Sequence, residues 1–405
     1  MAAHNTQHAT RNTFHVSRFT QHVSRFTFQV LAASLLTSCS SPRTDSAILA
    51  LKQVQARYAP DPHLALFRVG IVAEGSSLVL TGTVDRLEAK TQAAEAVRQT
   101  GAKVNDQIIV LPSPRLGDKS WGISCLSVAS GRELPEHKAE MGTQILMGNM
   151  VKLWDRTTNA NFTWFLAQSD DGYFSWVEKG TIWRCTEAEA QAWQRSALVI
   201  VLASEDQVLE QPQADTQPVC DVVTGNVLKK LGEEGAWLRV QLADGREGYL
   251  PKPSTQDYAQ WKQTRKPTPE NIERTARVFL GRPYLWGGCS PKGLDCSGFV
   301  KLVFFLNGIE LRRNASQQVA QGAPVPVDSD LASLRKGDLL FFGFPARREK
   351  SERITHVGIY LGNKLFIHSS ELVRLASLDP DSPIRDEFRI RTLLKVRRVL
   401  PPVQS

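Results

Sequence analysis

Acidic residues are absent from the first 38 positions of this 405-residue chain. The only Lys or Arg side chains in this segment are Arg11, Arg18 and Arg25, and an apolar stretch at 30–36 follows them. The stretch is too short to cross a bilayer, so a membrane-spanning helix is excluded there. A basic segment followed by a short apolar segment and small residues is typical of an export signal. We therefore expect the protein to be exported.

The end of this leader reads Leu-Thr-Ser-Cys at 36–39 and resembles a bacterial lipobox. The resemblance implies a signal peptide over 1–39, cleaved before Cys39, whose thiol would then be lipidated. We expect a protein of the bacterial cell envelope, lipid-anchored at the outer membrane or the periplasmic face. An ordinary signal peptide and an acid-free organelle transit peptide stay open as alternatives.

Cysteine is scarce, and no Cys-x-x-Cys pair occurs, which argues against a zinc ribbon or a thioredoxin-like motif. Once Cys39 is set aside, five cysteines remain, at 125, 185, 220, 289 and 296. An odd number of cysteines in an exported protein indicates a free and reactive thiol.

Nucleic-acid motifs are also absent, and a net charge of +8 is only weak evidence for polyanionic surroundings. The length predicts several domains, since one core rarely grows so large. At 45–113 the pattern predicts an α-β-β-α-β unit that resembles a BON domain. Short strands with Asp-Gly turns then recur over 118–195 and 196–255, and both segments resemble bacterial SH3-like β-barrels. The fold class predicted is multidomain α+β.

The last domain, 265–402, contains the sequence Gly-Leu-Asp-Cys-Ser-Gly-Phe at 293–299. Asp295 is a good N-cap for the apolar helix that follows, so Cys296 falls in its first turn. The helix dipole favours a negative charge there, which predicts a lowered pKa for the Cys296 thiol.

A cysteine nucleophile needs a base, and only four histidines follow Cys39. Two of them lie in an alternating stretch at 355–370 that predicts a hairpin. A loop over 361–363 would place His356 directly opposite His368. One imidazole would then take the thiol proton while the other orients it.

The motifs "GRPYLWGGCSPKGLDCSGFVKLVF", "RRNASQQ", "KGDLLFFG" and "THVGIYLG…FIHSS" together resemble an NlpC/p60 cell-wall cysteine peptidase. The resemblance implies a papain-like core in which Cys296 is the nucleophile, His356 the base and His368 the third polar residue. It also implies that Tyr284 helps to stabilise the oxyanion. Asp295 and Ser297 would line the substrate side.

The segment at 136–154 resembles the first SH3-like domain of the γ-D-glutamyl-L-diamino-acid endopeptidases. In those enzymes an acid and a tyrosine of the barrel hold a free N-terminal L-Ala. Glu140 and Tyr173 match these positions by motif, and Asn314 stands where many relatives carry an acid. The implied activity is cleavage of the D-Glu–diamino acid bond in peptidoglycan stem peptides or muropeptides, with no cofactor.

Three other interpretations stay open from the sequence. One is a wall-binding scaffold with an inert hydrolase domain, and the second is an amidase or acyltransferase on the same core. The third is a zinc site, for which the candidate ligands are Cys289, Cys296, His356 and His368.

Overall fold

The structure is a computed structural model that describes residues 42–328, 330–348 and 350–402. The predicted leader, with Cys39, lies outside the described residues. No helix among the described residues is long and apolar enough to cross a membrane.

The N-terminal domain (residues 42–113) has the α-β-β-α-β order that the sequence predicts. Its elements are α1 (Pro42–Tyr58), β1 (Phe67–Glu74), β2 (Ser77–Val84), α2 (Leu87–Arg98) and β3 (Lys103–Val110). The first strand pairs antiparallel with β2, and β2 pairs parallel with β3. Because Ala89, Ala93 and Val97 recur at helical spacing, α2 buries one apolar face in the core of this domain.

The first β-domain (residues 114–195) is a seven-stranded antiparallel sheet in the order β10-β4-β7-β8-β9-β5-β6. Its elements are β4 (Trp121–Ser124), β5 (Val128–Arg132), β6 (Met141–Leu146), β7 (Met150–Asn159), β8 (Phe162–Gln168), β9 (Phe174–Glu178), β10 (Ile182–Cys185) and α3 (Glu187–Arg195). Helix α3 begins with a capping box in which Thr186 and Glu189 exchange hydrogen bonds.

The second β-domain (residues 196–264) repeats this plan with strand order β13-β12-β16-β15-β14-β11-β17. Its elements are β11 (Leu198–Val201), β12 (Glu205–Leu209), β13 (Pro218–Val223), β14 (Val227–Glu234), β15 (Trp237–Gln241), β16 (Glu247–Pro251), β17 (Thr255–Asp257) and α4 (Tyr258–Thr264). Met147 of the first β-domain is buried in the apolar core of the second β-domain, so the two β-domains pack closely together.

The C-terminal domain (residues 265–402) places helices against a six-stranded antiparallel sheet in the order β20-β25-β21-β22-β23-β24. Its helices are α5 (Pro269–Val278), α6 (Cys296–Leu306), α7 (Ala315–Gln318) and α8 (Glu387–Thr392). Its strands are β18 (Cys289–Ser290), β19 (Gly293–Leu294), β20 (Ala323–Val325), β21 (Leu339–Phe344), β22 (Arg353–Gly362), β23 (Leu365–Ser370), β24 (Leu372–Ser377) and β25 (Leu393–Arg398).

Helix α6 is the central element of the C-terminal domain. Its apolar side chains, such as Phe299 and Val303, are fully buried and pack with Val357 and Ile367 of the sheet. Burying a phenylalanine or valine side chain stabilises the fold by roughly 1.5–3 kcal/mol. Helix α6 therefore packs firmly against strands β22 and β23.

Candidate active site

Asp295 caps the N-terminus of α6, as the sequence predicts. Its Oδ1 atom accepts a hydrogen bond from the Gly298 N–H at 2.7 Å, and Cys296 is the first helical residue. Gly298 is required at this turn because a Cβ there would lie 2.0 Å from the carbonyl oxygen of Gly288. The thiol is thereby set at the start of a helix whose first turn packs tightly against the preceding loop.

A buried arginine occupies the other side of Asp295. Arg313 is 1% exposed and donates to Asp295 through Nη1 at 3.2 Å and Nη2 at 2.5 Å. It also donates to Ser297 Oγ at 2.9 Å. Asp295 and Ser297 are thus buried and bonded within the protein. This arrangement lets Asp295 and Ser297 orient the turn that carries the thiol. Arg313 was not among the site residues predicted from the sequence.

The Cys296 thiol does not have the lowered pKa that its helix position predicts. Burial raises its pKa to about 12, and the neighbouring Asp295 carboxylate adds to the effect. The Val357 N–H and the Arg313 charge oppose this but are outweighed. The expectation was wrong because the helix N-terminus also brings a carboxylate next to a desolvated sulfur.

The two predicted histidines are neighbours, but not in the predicted register. Gly362 pairs with Leu365, so the turn is Asn363-Lys364 rather than a loop over 361–363. Both turn residues have positive φ (49° and 59°), as a two-residue type I′ turn requires. A β-bulge between Tyr360 and Gly362 shifts the register, so that Ile359 pairs with Ile367. Continuing that register places Gly358, not His356, opposite His368.

The imidazoles nevertheless meet along the diagonal of the hairpin. His356 Nε2 lies 2.9 Å from His368 Nδ1. Gly358 leaves room for this contact, because a Cβ on it would lie 3.2 Å from the Cβ of His368. Both rings are buried, and α6 packs on the two strands that carry them.

Both histidines are neutral at physiological pH. Burial lowers the pKa of His368 to about 3 and that of His356 well below its usual value, and the charges of Arg389 and Arg374 add to both shifts. An uncharged imidazole has a free nitrogen lone pair, so His356 is in the protonation state that a general base needs.

Tyr284 lies on the segment before β18 and is half-buried. Burial raises the pKa of its hydroxyl, and the Cys296 and Asp295 groups raise it further. The hydroxyl therefore keeps its proton and remains a hydrogen-bond donor close to the thiol.

A second polar cluster lies where the first β-domain meets the C-terminal domain. Tyr173 is buried, and its hydroxyl donates to Glu133 Oε1 at 3.1 Å and faces the side chain of Asn314. Glu140 is exposed, and its backbone carbonyl accepts from the Glu133 N–H at 3.0 Å. The structure thus brings Tyr173 and Asn314 together, as expected, with Glu133 rather than Glu140 as the acid beside them.

Glu133 fits because residue 142 is glycine. A Cβ at Gly142 would lie 2.1 Å from Glu133 Oε1 and 2.7 Å from the Tyr173 hydroxyl. Glu133 lies just before the stretch at 136–154 on which the sequence reasoning rested, and this explains why it was missed. The neighbouring Thr143 accepts from Arg313 Nε at 3.2 Å, which connects this cluster to Asp295.

Metal binding finds no support in the part of the chain that is described. No group of three or more His, Cys, Asp or Glu side chains there is arranged to hold an ion. The five cysteines of that part are free thiols.

Residues 281–391 match the sequence model of the NlpC/P60 family. The chain is 28% identical over 263 residues to dipeptidyl-peptidase 6 of Lysinibacillus sphaericus, covering 62% of this chain and 89% of that protein. It is 44% identical over 104 residues to the γ-D-glutamyl-L-lysine dipeptidyl-peptidase of Bacillus subtilis, which is 26% of this chain and 33% of the relative. The Bacillus cereus enzyme of that name is 26% identical over 266 residues, covering 65% of this chain and 76% of the relative.

The fold also has a counterpart among solved structures. The crystal structure of an NlpC/P60 family protein from Bacillus cereus superimposes with a TM-score of 0.58 and 23% identity. The match covers 70% of this chain and 100% of that one. At this identity the likeness concerns the fold alone.

Proposed function

We propose that the protein is a cysteine peptidase that hydrolyses the γ-D-glutamyl–diamino acid bond of peptidoglycan stem peptides, because residues 281–391 match the NlpC/P60 family. The observation that carries this proposal is the buried His356–His368 pair, 2.9 Å apart, on the two strands against which the Cys296 helix packs. A base, an orienting group and a thiol are the three parts that cysteine peptidase chemistry needs.

The pair supports an assignment of the nitrogen that acts as the base. If His356 Nε2 carries the proton and donates to His368 Nδ1, then His356 Nδ1 is free to accept the thiol proton. His368 then carries its proton on Nε2. That atom is buried and has no hydrogen-bond partner among the described residues, so the pairing with His356 is what orients the ring. His368 is therefore assigned the orienting role.

The thiol and the two imidazoles are uncharged at rest, and this shapes the first step. The Cys296 thiol has a raised pKa and the His356 imidazole a lowered one, so a preformed thiolate–imidazolium pair is disfavoured. The proton passes to His356 as sulfur attacks the γ-carbonyl of D-Glu. The resulting imidazolium then protonates the leaving amine of the diamino acid, and water hydrolyses the thioester.

The negative charge that forms on the carbonyl oxygen needs donors. Tyr284 supplies a hydroxyl that stays protonated, and the first turn of α6 supplies N–H groups with no intrahelical partner. Charge stabilisation of this kind acts mainly on kcat.

The cluster at Glu133, Tyr173 and Asn314 suits the free N-terminal amine of L-Ala. A carboxylate, a phenol and an amide oxygen all accept hydrogen bonds from an ammonium group. The enzyme would then release L-Ala-γ-D-Glu from peptides that begin at L-Ala. Such an enzyme processes released wall fragments in preference to intact wall.

In this proposal the parts of the chain before the C-terminal domain also place the enzyme in the envelope, beyond the binding role of Glu133 and Tyr173. The family implies work in the extracytoplasmic envelope. We assign the N-terminal domain as BON-like, the two β-domains as SH3-like, and Cys39 as the lipid attachment site. These modules would hold the peptidase at the wall.

The test is mass spectrometry of purified muropeptides after incubation with the enzyme. We expect a dipeptide of L-Ala and D-Glu together with a product that begins at the diamino acid. Release of the whole stem from muramic acid would indicate an amidase instead, and unchanged muropeptides would indicate an inert scaffold.

A further inference from the structure

The loop between α1 and β1 of the N-terminal domain reaches the cluster of Glu133, Tyr173 and Asn314, here called the amine cluster. It carries Asp61 and His63, and the His63 carbonyl accepts from the Phe174 N–H at 2.8 Å. Phe174 directly follows Tyr173 in the chain. The loop therefore lies beside the amine cluster. None of the active-site residues described above belongs to the N-terminal domain.

His63 contacts two of the proposed amine-binding residues. Its ring stacks on Tyr173, with centroids 4.7 Å apart and planes 12° from parallel. Its Nε2 atom lies 3.1 Å from Glu133 Oε2, and its Nδ1 lies 3.5 Å from Asp61 Oδ1. The imidazole thus bridges a carboxylate of its own loop and the carboxylate of the first β-domain.

Asp61 extends the cluster to the C-terminal domain. Its Oδ2 atom accepts from Gln317 Nε2 at 2.7 Å. Gln317 lies in α7, and its Oε1 atom accepts from the Asn314 N–H at 3.0 Å. Three domains therefore meet around one small polar site, and each contributes at least one side chain to it.

The loop is anchored by an apolar interface. Leu66, only 2% exposed, packs with Leu111, Trp164 and Trp176, and the Arg68 guanidinium lies over the Trp176 ring at 5.9 Å. Burial of this kind makes the loop a built part of the site wall. A flap that opens in every cycle would lack such an anchor.

The charges around the cluster leave room for one cation. Burial alone would lower the pKa of His63, but hydrogen bonds and charges from Asp61 and Glu133 raise it to about 9, so the ring is cationic at neutral pH. Arg68 also faces Glu133, and Asp155 faces Arg68. Arg313 also faces Tyr173, but its charge is balanced by its ion pair with Asp295. The carboxylates of Asp61, Glu133 and Asp155 against the cations His63 and Arg68 then leave one negative charge. A single ammonium group matches it.

We propose, resting on the function above, that His63 of the N-terminal domain is a specificity-determining residue for the first residue of the peptide. Its ring closes the site beyond the amine, so that L-Ala with a free amine fits and L-Ala joined to a muramic acid does not. The N-terminal domain is then part of the substrate-binding site as well as an envelope module.

The experiment compares kcat/KM on two peptides in the full chain. One is the free tetrapeptide L-Ala-γ-D-Glu-diamino acid-D-Ala, and the other is the same peptide linked to N-acetylmuramic acid. We expect the wild type to prefer the free peptide at least 100-fold. His63→Ala should lower this ratio tenfold or more, mainly by raising kcat/KM on the linked peptide. A loss of stability alone would scale both rates equally and leave the ratio unchanged.

A matched control histidine lies on the first β-domain, which carries Glu133 and Tyr173. His137 makes an equivalent pair with Glu178 at 3.1 Å and packs on Trp164, yet it lies outside the cluster. His137→Ala should keep the wild-type ratio. His63→Phe keeps a flat ring against Tyr173 and should still exclude the linked peptide, which makes the test usable if His63→Ala does not fold.

The outcomes distinguish a failure of the role proposed for His63 from a failure of the proposed peptidase function. An unchanged ratio in folded His63→Ala, an equal shift in His137→Ala, or loss of exclusion in His63→Phe would overturn the role of the His63 ring. A wild type that cuts both peptides at equal rates would overturn it too, while leaving the peptidase activity intact. A wild type that cuts neither peptide would contradict the proposed function itself.

Discussion

The two ends of the proposed site differ in the charge that their buried histidines carry. At the thiol end, burial keeps Cys296, His356 and His368 uncharged, with both imidazole pKa values lowered. At the amine end, burial also disfavours a charge on His63, but two carboxylates outweigh it and raise the pKa to about 9. Histidine side chains are thus neutral at the thiol end of the proposed site, whereas the histidine at the amine end is a cation.

The difference shows that burial alone does not set the charge of a histidine. Arg374 and Arg389 face the catalytic pair and reinforce desolvation, whereas Asp61 and Glu133 face His63 and oppose it. The Asp295–Arg313 ion pair lies between the two ends and links them, since Arg313 is followed in the chain by Asn314. This buried salt bridge thus separates the groups proposed for catalysis from those proposed for substrate recognition.

The largest effect should come from the thiol itself. Cys296→Ala should lower kcat by about 10⁴-fold or more, since no other group can form the acyl-enzyme. Its Tm should remain close to wild type because a first-turn thiol fills little core volume. Steady-state kinetics and a melting curve measure both. Cys220→Ala, which removes a half-buried thiol of the second β-domain, is the control and should keep full activity. Near-wild-type turnover in Cys296→Ala would remove the cysteine mechanism.

The two histidines of the proposed catalytic pair should differ in their importance. We expect His356→Ala to lower kcat by about 10²–10⁴-fold, as removal of a general base does. His368→Asn should be milder, because an amide oxygen can still accept from His356 Nε2. The comparison is made on kcat with KM measured alongside. If His368→Asn were as inactive as His356→Ala, the base and orienting roles would have to be exchanged.

At the amine end the effect should fall on binding. Glu133→Gln removes the charge that faces the substrate amine and should raise KM about tenfold or more, with kcat nearly unchanged. Glu140→Gln is the matched control, since that side chain is exposed and lies a few residues away on the same domain. A KM effect in Glu140→Gln without one in Glu133→Gln would return the role to the residue that the sequence motif selected.

The thiol end of the site, in the C-terminal domain, could be predicted from the sequence because its motifs are made of neighbouring residues. Asp295 as N-cap, Cys296 in the first turn and the hairpin with two histidines each follow from a few adjacent residues. The exact register did not follow, since it depends on a β-bulge and a two-residue turn. The pKa of Cys296 was predicted in the wrong direction because the helix N-terminus was weighed without the desolvation that tertiary packing brings.

The amine end could not be read in this way. His63, Glu133 and Asn314 are separated by long stretches of chain and meet only when three domains pack together. Nothing in the sequence around His63 marks it, since a Pro-Asp-Pro-His loop is an ordinary turn. Glu133 was missed because the motif resemblance began three residues later. Sites built across domains leave weak local signals, and this one became visible through its contacts.

The smallest expected effect is on stability, and it has opposite signs at the two ends. A group whose pKa is raised in the fold contributes stability below its unfolded pKa, about 6.5 for histidine, and loses it as pH rises through the folded value. For His63 the loss should therefore run from about pH 6.5 to about pH 9. His356 and His368 have lowered pKa values, so their contribution is complete above about pH 6.5 and is lost as pH falls from there towards about 3.

The pH-dependent part for His63 should be about 2 kcal/mol once partial solvent exposure is allowed for. It is measured as the gap in Tm between wild type and His63→Ala at pH 6.5 and at pH 9.5, with His137→Ala as the reference. We expect the gap to shrink at the higher pH, since the wild type alone loses its ion pairs with Asp61 and Glu133. A gap that stays constant would mean that His63 is held by its stacking on Tyr173 and carries no charge at the amine end. The contrast between the two ends would then rest on packing alone.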